Sequence, residues 1–363
     1  MKWKYVWIAI FFIGIIFYAA HFFIKNGDAV ENNDTTDSAL SLITEPDNGI
    51  APVLAMISGA AKSVDLVMYE LDDAQMEAAL AADERRGVAV RVLLSAGYDG
   101  ASSTVNGPAY NFLLAHGVAV RWSPSYFSLT HEKSLVVDGA RALIMTFNLT
   151  SKYYATGRDF GIVDGDARDV AAMERTFGDD WKGGGVNDSE RASLGGNNGS
   201  SGDDLVWSPG SEAALIALIN SAQKSLYIYN EEMADMDVTK ALIDAAERGV
   251  AVYVVMTDAG EWKWDFAELS TAGVHVRTYA DNASAPLYIH AKMIVADAGT
   301  GSSDAGTSAR AFVGSENFSA ASLDENRELG IFIQDQKIIA DLMKTFSADW
   351  RGAVPFAQIK SSQ

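Results

Sequence analysis

From residue 62 onward the chain is written twice. Lys62-Ser63-Val64-Asp65-Leu66-Val67-Met68-Tyr69 is echoed by Lys224-Ser225-Leu226-Tyr227-Ile228-Tyr229. Arg86 to Leu93 is echoed by Arg248 to Val255, and Gly117 to Arg121 by Gly273 to Arg277. Phe177 and Trp181 close the first copy as Phe346 and Trp350 close the second. The offset is 162 residues early, 159 at the motifs described next, and 169 afterwards. A period this long describes two domain-sized halves rather than a solenoid of short repeats. Whatever fold one half adopts, the other must adopt too.

Inside the repeat lies Thr130-His131-Glu132-Lys133-Ser134-Leu135-Val136-Val137-Asp138, answered by Ile289-His290-Ala291-Lys292-Met293-Ile294-Val295-Ala296-Asp297. Both read His, any residue, Lys, four residues, Asp. The apolar run after each Lys predicts a buried strand. On a strand alternate residues share a face, so His131 and Lys133 point together, as do His290 and Lys292. An imidazole beside an ammonium suits a phosphate: one group reacts and the other neutralises charge. Downstream, Asn148 precedes Asp159, and Asn317 precedes Glu328, by eleven residues in both copies. A lone His-x-Lys reads as two solvated groups on a surface strand; an extended match repeated in register does not.

Within each half, helical and strand patterns alternate. Ala51 to Ala61 and Glu212 to Ala222 predict opening helices. Ala74 to Arg86 and Val238 to Arg248 predict second helices, each stopped by Gly. The β-rich runs between them predict an α/β fold, a mixed sheet covered by helices in each half. Asp138-Gly139 signals a tight hairpin. Its counterpart is replaced by Ala298 to Arg310, which predicts a longer surface loop. The expected boundaries are a transmembrane anchor over 1–25, a polar tether over 26–47, a first half over 48–182, a Gly/Ser/Asn-rich linker over 183–204, a second half over 205–352, and a tail over 353–363.

The anchor expectation rests on Tyr5 to Ile24, twenty residues without a formal charge. That length spans a bilayer. Lys2 and Lys4 before it, and Asp28 and Glu31 after it, orient the N-terminus to the cytoplasm and the catalytic domain to the extracytoplasmic side of a single-pass membrane protein. The rival reading is a cleaved signal peptide, whose apolar region is usually shorter. Composition narrows the chemistry. The 363 residues contain no cysteine, so thiolate nucleophiles and Cys-ligated zinc are excluded. Five His, none paired at helical ligand spacing, argue against a protein-built metal site. The net charge of −20 opposes non-specific nucleic-acid binding, which draws its affinity from phosphate contacts.

On its doubled His-x-Lys-x4-Asp motif, each followed by Asn and an acidic residue, the chain resembles the phospholipase D superfamily, cardiolipin synthases included, from about residue 48 to 352. The resemblance implies a duplicated α/β fold with both motifs in one cleft. It implies phosphodiester cleavage or transfer through a phosphohistidine, with no cofactor and no metal. It makes His131 the nucleophile and His290 the acid, although the near-symmetry of the motifs leaves the assignment open. Lys133, Lys292, Asn148 and Asn317 would bind phosphate, and Asp159 and Glu328 would orient the histidines. Asp138 and Asp297 belong to the motif but suit backbone capping at a strand end. The chain departs from the family at Met145-Thr146-Phe147-Asn148, where the second half has the small Gly314-Ser315; a bulky Met145 would narrow the phosphate pocket. Trp262 and Trp264 suit either ordinary packing or the cleft mouth.

The expected function is therefore a membrane-anchored phosphodiesterase acting on phospholipid, with membrane and phospholipid as partners and no obligate protein partner. A tethered nuclease of the same superfamily is the alternative, and a non-catalytic phosphate-binding domain is the third reading.

Overall fold

The structure is a computed structural model and describes residues 40–97, 105–184, 199, 204–299 and 305–356, with the backbone alone at 305–307. The first half runs β1 (Leu40–Glu45), α1 (Ala51–Ser58), β2 (Ser63–Met68), β3 (Leu71–Asp72), α2 (Ala74–Arg85), β4 (Ala89–Leu94), α3 (Asn106–Ala115), β5 (Ala119–Trp122), β6 (Ser134–Val137), β7 (Arg141–Met145), β8 (Leu149–Thr150), β9 (Gly157–Asp164) and α4 (Ala167–Gly183). The second runs β10 (Leu205–Ser208), α5 (Glu212–Ser221), β11 (Ser225–Tyr229), α6 (Met236–Glu247), β12 (Ala251–Asp258), α7 (Lys263–Thr271), β13 (His275–Ala280), β14 (Tyr288–Ile289), β15 (Lys292–Ala298), β16 (Ala305–Gly314), α8 (Ala320–Asp324), β17 (Glu328–Ile333), α9 (Gln336–Gly352) and β18 (Val354–Pro355).

The two sheets have the same topology. One is ordered β1-β9-β7-β6-β2-β4-β5 and the other β10-β17-β16-β15-β11-β12-β13, with β18 added at its edge. Within these orders the β2-β4-β5 and β11-β12-β13 ladders are parallel and the others antiparallel; β14 adds to β9 in parallel. Both sheets are thus mixed, as the alternating pattern predicts. Val53, Leu66, Leu80 and Leu113 pack helices α1 to α3 on the outer face of the first sheet. Leu215, Ile228, Leu242 and Phe266 do the same for α5 to α7 on the second. The inner faces share a single core: Ile144, Phe160 and Ile162 meet Met293, Val313 and Ile331. The layers are helix, sheet, sheet, helix, and central strands such as β6 and β11 are buried on both faces because both are covered.

Helices α4 and α9 join that inner core through an apolar stripe, Val170 and Met173 in one and Ile338, Leu342 and Phe346 in the other. Each of these helices also carries a buried carboxylate that reaches the other half. Asp180 receives Arg327 Nε at 2.8 Å and Nη2 at 3.0 Å. Asp349 receives Arg158 Nε at 2.6 Å and Nη2 at 3.1 Å. Each buried pair is bidentate, the strong geometry for this interaction, and each ties one half to the other.

Several boundaries differ from expectation. Leu40–Glu45, assigned above to a polar tether, is a strand, because its alternate apolar side chains complete the sheet edge opposite β9. Ala298 to Arg310 is not all loop: Ala305 pairs with Ala298 after a bulge, which lengthens the β15–β16 ribbon. Val354–Pro355 likewise pairs with β13. The single-pass membrane assignment is corrected. Among the described residues no helix is long and apolar enough to cross a membrane. The longest, α4 and α9, have 17 residues and each keeps a charged face. The apolar stretch from Tyr5 to Ile24 and the anchor expected over 1–25 lie outside the described residues, as does most of the expected linker.

Candidate active site

Each His-x-Lys segment is placed by the opposite half. Thr130 forms a parallel bridge with Arg327, and the backbone N–H groups of His131 and Glu132 both donate to Arg327 O at 2.9 Å. In mirror fashion β14 pairs with the start of β9, and His290 and Ala291 N–H donate to Arg158 O at 3.2 and 2.8 Å. Arg158 and Arg327 immediately precede the two acidic residues of the repeat. The carboxylates therefore cross over. His131 Nδ1 donates to Glu328 Oε2 at 2.8 Å. His290 Nδ1 donates to Asp159 Oδ1 at 2.8 Å. Neither half holds a complete site.

Hydroxyl groups support the carboxylates. Thr146 Oγ1 donates to Asp159 Oδ1 at 2.6 Å and accepts from Phe160 N at 2.9 Å. Ser322 Oγ donates to Glu328 Oε1 at 2.6 Å, and Ser315 Oγ accepts from Leu329 N at 3.1 Å. Such outer bonds fix the acceptor that in turn fixes the ring. Burial works against the Glu328 carboxylate, but His131 and Lys133 outweigh it and hold it below its ordinary value. Burial, with Lys133 and Lys292 nearby, pushes the His131 imidazole down to about 4 despite Glu328. With Nδ1–H engaged, His131 presents an unprotonated Nε2 at neutral pH.

The two lysines are fully buried. Each donates to the carbonyl of its own histidine, Lys133 Nζ to His131 O and Lys292 Nζ to His290 O, both at 2.6 Å. His131 to Lys133 lie just before β6 rather than within it. Burial, reinforced by Lys292, pushes Lys133 down to about 7.

A cavity of about 250 Å³ opens between the halves, lined by His131, His290, Asn148, Asn317 and Asp159 together with Tyr69, Tyr153, Tyr154 and Tyr288. Asn317 Nδ2 donates to Glu232 Oε1 at 3.0 Å, while the buried Oδ1 atoms of Asn148 and Asn317 have no protein partner. Asp138 and Asp297 lie away from it. Asp138 accepts from the N–H groups of Ala61, Lys62 and Ser63, and Asp297 from those of Gln223, Lys224 and Ser225. Burial would raise the Asp138 carboxyl, but those N–H bonds together prevail and lower it. Both aspartates have φ of 57°, and in the first copy Gly139 follows at 62°, the two-residue turn with positive φ that suits a tight hairpin.

Met145 does not narrow the pocket. It is fully buried in the core behind the first sheet, and Phe147, two residues on, lines the cavity instead. Trp262 packs against the second-half core and Trp264 is exposed; neither lines the cavity. The carboxylates Glu45, Glu70, Glu231 and Glu232 on the cavity wall were not anticipated. Glu231 and Glu232 continue the Lys62/Lys224 register two residues beyond the echo quoted above, opposite Tyr69 and Glu70. Following the offset of 162 past Tyr229 would have found them. Glu45 had no such signal, for it lies on the strand read as tether. Burial, with Asp159 and Asp47 close by, pushes it up to about 7.

Two α/β halves that exchange histidine partners around one cavity define a duplicated fold of phospholipase D type. The family described as "Cardiolipin synthase, PLD-like domain" matches residues 53–181 and 215–350, and the chain belongs to that family. A cardiolipin synthase from Staphylococcus aureus strain Mu50 is 27% identical over 246 residues, covering 60% of this chain and 46% of that protein. A mitochondrial cardiolipin hydrolase from Xenopus laevis is 29% identical over 136 residues, 38% of this chain and 62% of that one. The chain thus spans about half the length of the cardiolipin synthase it matches. Among solved structures, phosphatidylserine synthase from Haemophilus influenzae superposes with a TM-score of 0.70 at 13% identity, covering 90% of this chain and 89% of that one. Polyphosphate kinase from Porphyromonas gingivalis does so with 0.64 at 14%, over 86% and 47%. These last two likenesses are of fold.

Proposed function

We propose that this protein is a phosphodiesterase or phosphatidyltransferase acting on phospholipids through a phosphohistidine intermediate. The observation that carries the reading is the crossed pairing of His131 with Glu328 and His290 with Asp159 on one cavity. In the proposed cycle the His131 Nε2 lone pair attacks phosphorus. The P–O bond to the leaving group breaks, and that oxygen takes the proton from His290 Nε2. Water or an acceptor alcohol then gives its proton back to His290 as its oxygen displaces His131. Lys133, Lys292, Asn148 and Asn317 hold the non-bridging oxygens, whose charge grows in the transition state. The relatives named for cardiolipin support a phospholipid substrate. So does the wall of carboxylates, which repels the successive phosphates of a nucleic acid.

The test uses the full chain with chelator present, on vesicles of phosphatidylglycerol, phosphatidylcholine or cardiolipin, and in parallel on single- and double-stranded DNA and RNA. Head-group release or exchange that His131→Asn abolishes is the expected result. Cleavage confined to nucleic acid would make the protein a nuclease of the same fold.

A further inference from the structure

Among the differences between the halves around the site, one puts an aromatic ring beside the first histidine and a carboxylate beside the second. Tyr69 and Glu231 are equivalent: each lies just beyond β2 or β11 and shortly before a helix capped by Asp73 or Asp235. In the first half the Tyr69 ring stands edge-on to His131, with centroids 4.6 Å apart, and Lys133 Nζ lies 5.1 Å from its centre. In the second, the Glu231 carboxylate accepts from Lys292 Nζ at 2.9 Å and Tyr288 OH at 2.6 Å, and lies 3.4 Å from His290 Nε2. Nε2 is the nitrogen that Asp159 leaves facing the cavity. His290 therefore sits between two carboxylates, one at each ring nitrogen, whereas His131 has Glu328 alone and an aromatic ring where the second would be.

The groups facing His290 are Asp159 from β9, Glu231 beyond β11, Tyr288 from β14 and Lys292 from its own segment, with Lys133 electrostatically coupled to Glu231 and Asp159. Burial would raise the Glu231 carboxyl, but His290 and Lys292 hold it well below the ordinary range, so it is an anion. A carboxylate thus faces each ring nitrogen of His290, Asp159 at Nδ1 and Glu231 at Nε2.

We infer that Glu231 is the positioning residue that keeps a proton on His290 Nε2, so that the second-half histidine enters the reaction as the acid and the first-half histidine as the nucleophile. This rests on the phosphodiesterase reading above. Glu231 donates nothing and forms no bond to substrate. The proton it retains on His290 Nε2 passes to the leaving oxygen as the P–O bond breaks and the bond from His131 Nε2 to phosphorus forms, leaving a neutral His290. A leaving group that is stable as an anion does not need that proton; an alkoxide does.

The experiment compares dihexanoyl phosphatidylglycerol with dihexanoyl phosphatidyl-p-nitrophenol, using full-length wild type, Glu231→Gln and His131→Asn. The readout is kcat/KM, which reports the first step. In Glu231→Gln the ratio of the glycerol value to the nitrophenol value should fall at least about tenfold, since a positioned acid contributes about 10²–10⁴ to rate. A role in structure alone would slow both substrates alike, so an unchanged ratio overturns the inference whatever the absolute rates. If wild type releases neither alcohol, or His131→Asn releases both as wild type does, the functional reading falls and this inference with it. Activity that His131 is needed for, with an unchanged ratio in Glu231→Gln, overturns this inference alone.

Discussion

Lys133 is the side chain on which a pH dependence can be placed. Burial lowers it to about 7, so in the free enzyme it sheds its proton as the pH rises through that value, well before an exposed lysine would. A bound phosphate anion stabilises the charged form and restores it. On phosphatidyl-p-nitrophenol, where leaving-group protonation matters least, kcat/KM should decline as pH rises above about 7, while kcat at saturation holds to higher pH. A kcat/KM that is flat to pH 9 would show that Lys133 stays charged in the empty site. Asp138 belongs to the same motif but serves the backbone. Its carboxylate takes three successive N–H groups at the end of β2's approach. Replacing it by Ala should lower stability by about 1.5–3 kcal/mol, the range for hydrogen bonds to a charged group. A melting curve should shift, and the kcat/KM of the folded fraction should change little. A loss of activity comparable with that of His131→Asn would place Asp138 in the chemistry.

At the level of elements, the site depends on two strand pairings between halves: Thr130 against Arg327, and β14 against β9. Because Asp159 and Glu328 lie one residue beyond those Arg residues, the pairings that dock the loops also deliver the carboxylates. Thr146, in the loop between β7 and β8, is the hydroxyl that holds Asp159 in place. Thr146→Val keeps the shape and removes the donor. It should lower kcat/KM about 10–100-fold, the range seen when an outer partner of a functional ligand is lost, while the melting temperature moves by only a few degrees. Thr146→Ser should recover most of the rate. Failure of Ser to rescue would mean that packing of the methyl group matters more than the hydrogen bond.

The whole molecule is held at its seam by a core and two ion pairs. Arg158 with Asp349, and Arg327 with Asp180, run in opposite directions across it. Removing one partner of a buried pair typically costs about 3–5 kcal/mol, because the other charge is left without compensation. Asp349→Ala should approach the upper end, since Tyr229 OH also donates to that carboxylate at 2.7 Å. Denaturant midpoints measure this loss. Since Arg158 adjoins Asp159, the folded fraction should lose activity as well. A variant of unaltered stability would show that the seam relies on the apolar core alone.

Much of this was legible in the sequence because it is local and periodic. The duplication, the helix stops at Gly87 and Gly249, the mixed α/β order and the residue types of the site all follow from short-range patterns, which a 363-residue chain displays without folding. Asp138 and Asp297 were readable as caps for the same reason. What the pattern left open is whatever depends on which half supplies a partner. The family resemblance implies that each histidine meets a carboxylate; the pattern does not say that the carboxylate comes from the other copy, because a bond between residues 197 or 131 positions apart has no periodicity to betray it. Strand β1 was read as tether, since six residues beside a polar run carry too little pattern until β9 pairs with them. Tyr69 and Glu231 differ in kind at equivalent places, and only the packing of both halves around one cavity turns that difference into a difference between the two histidines.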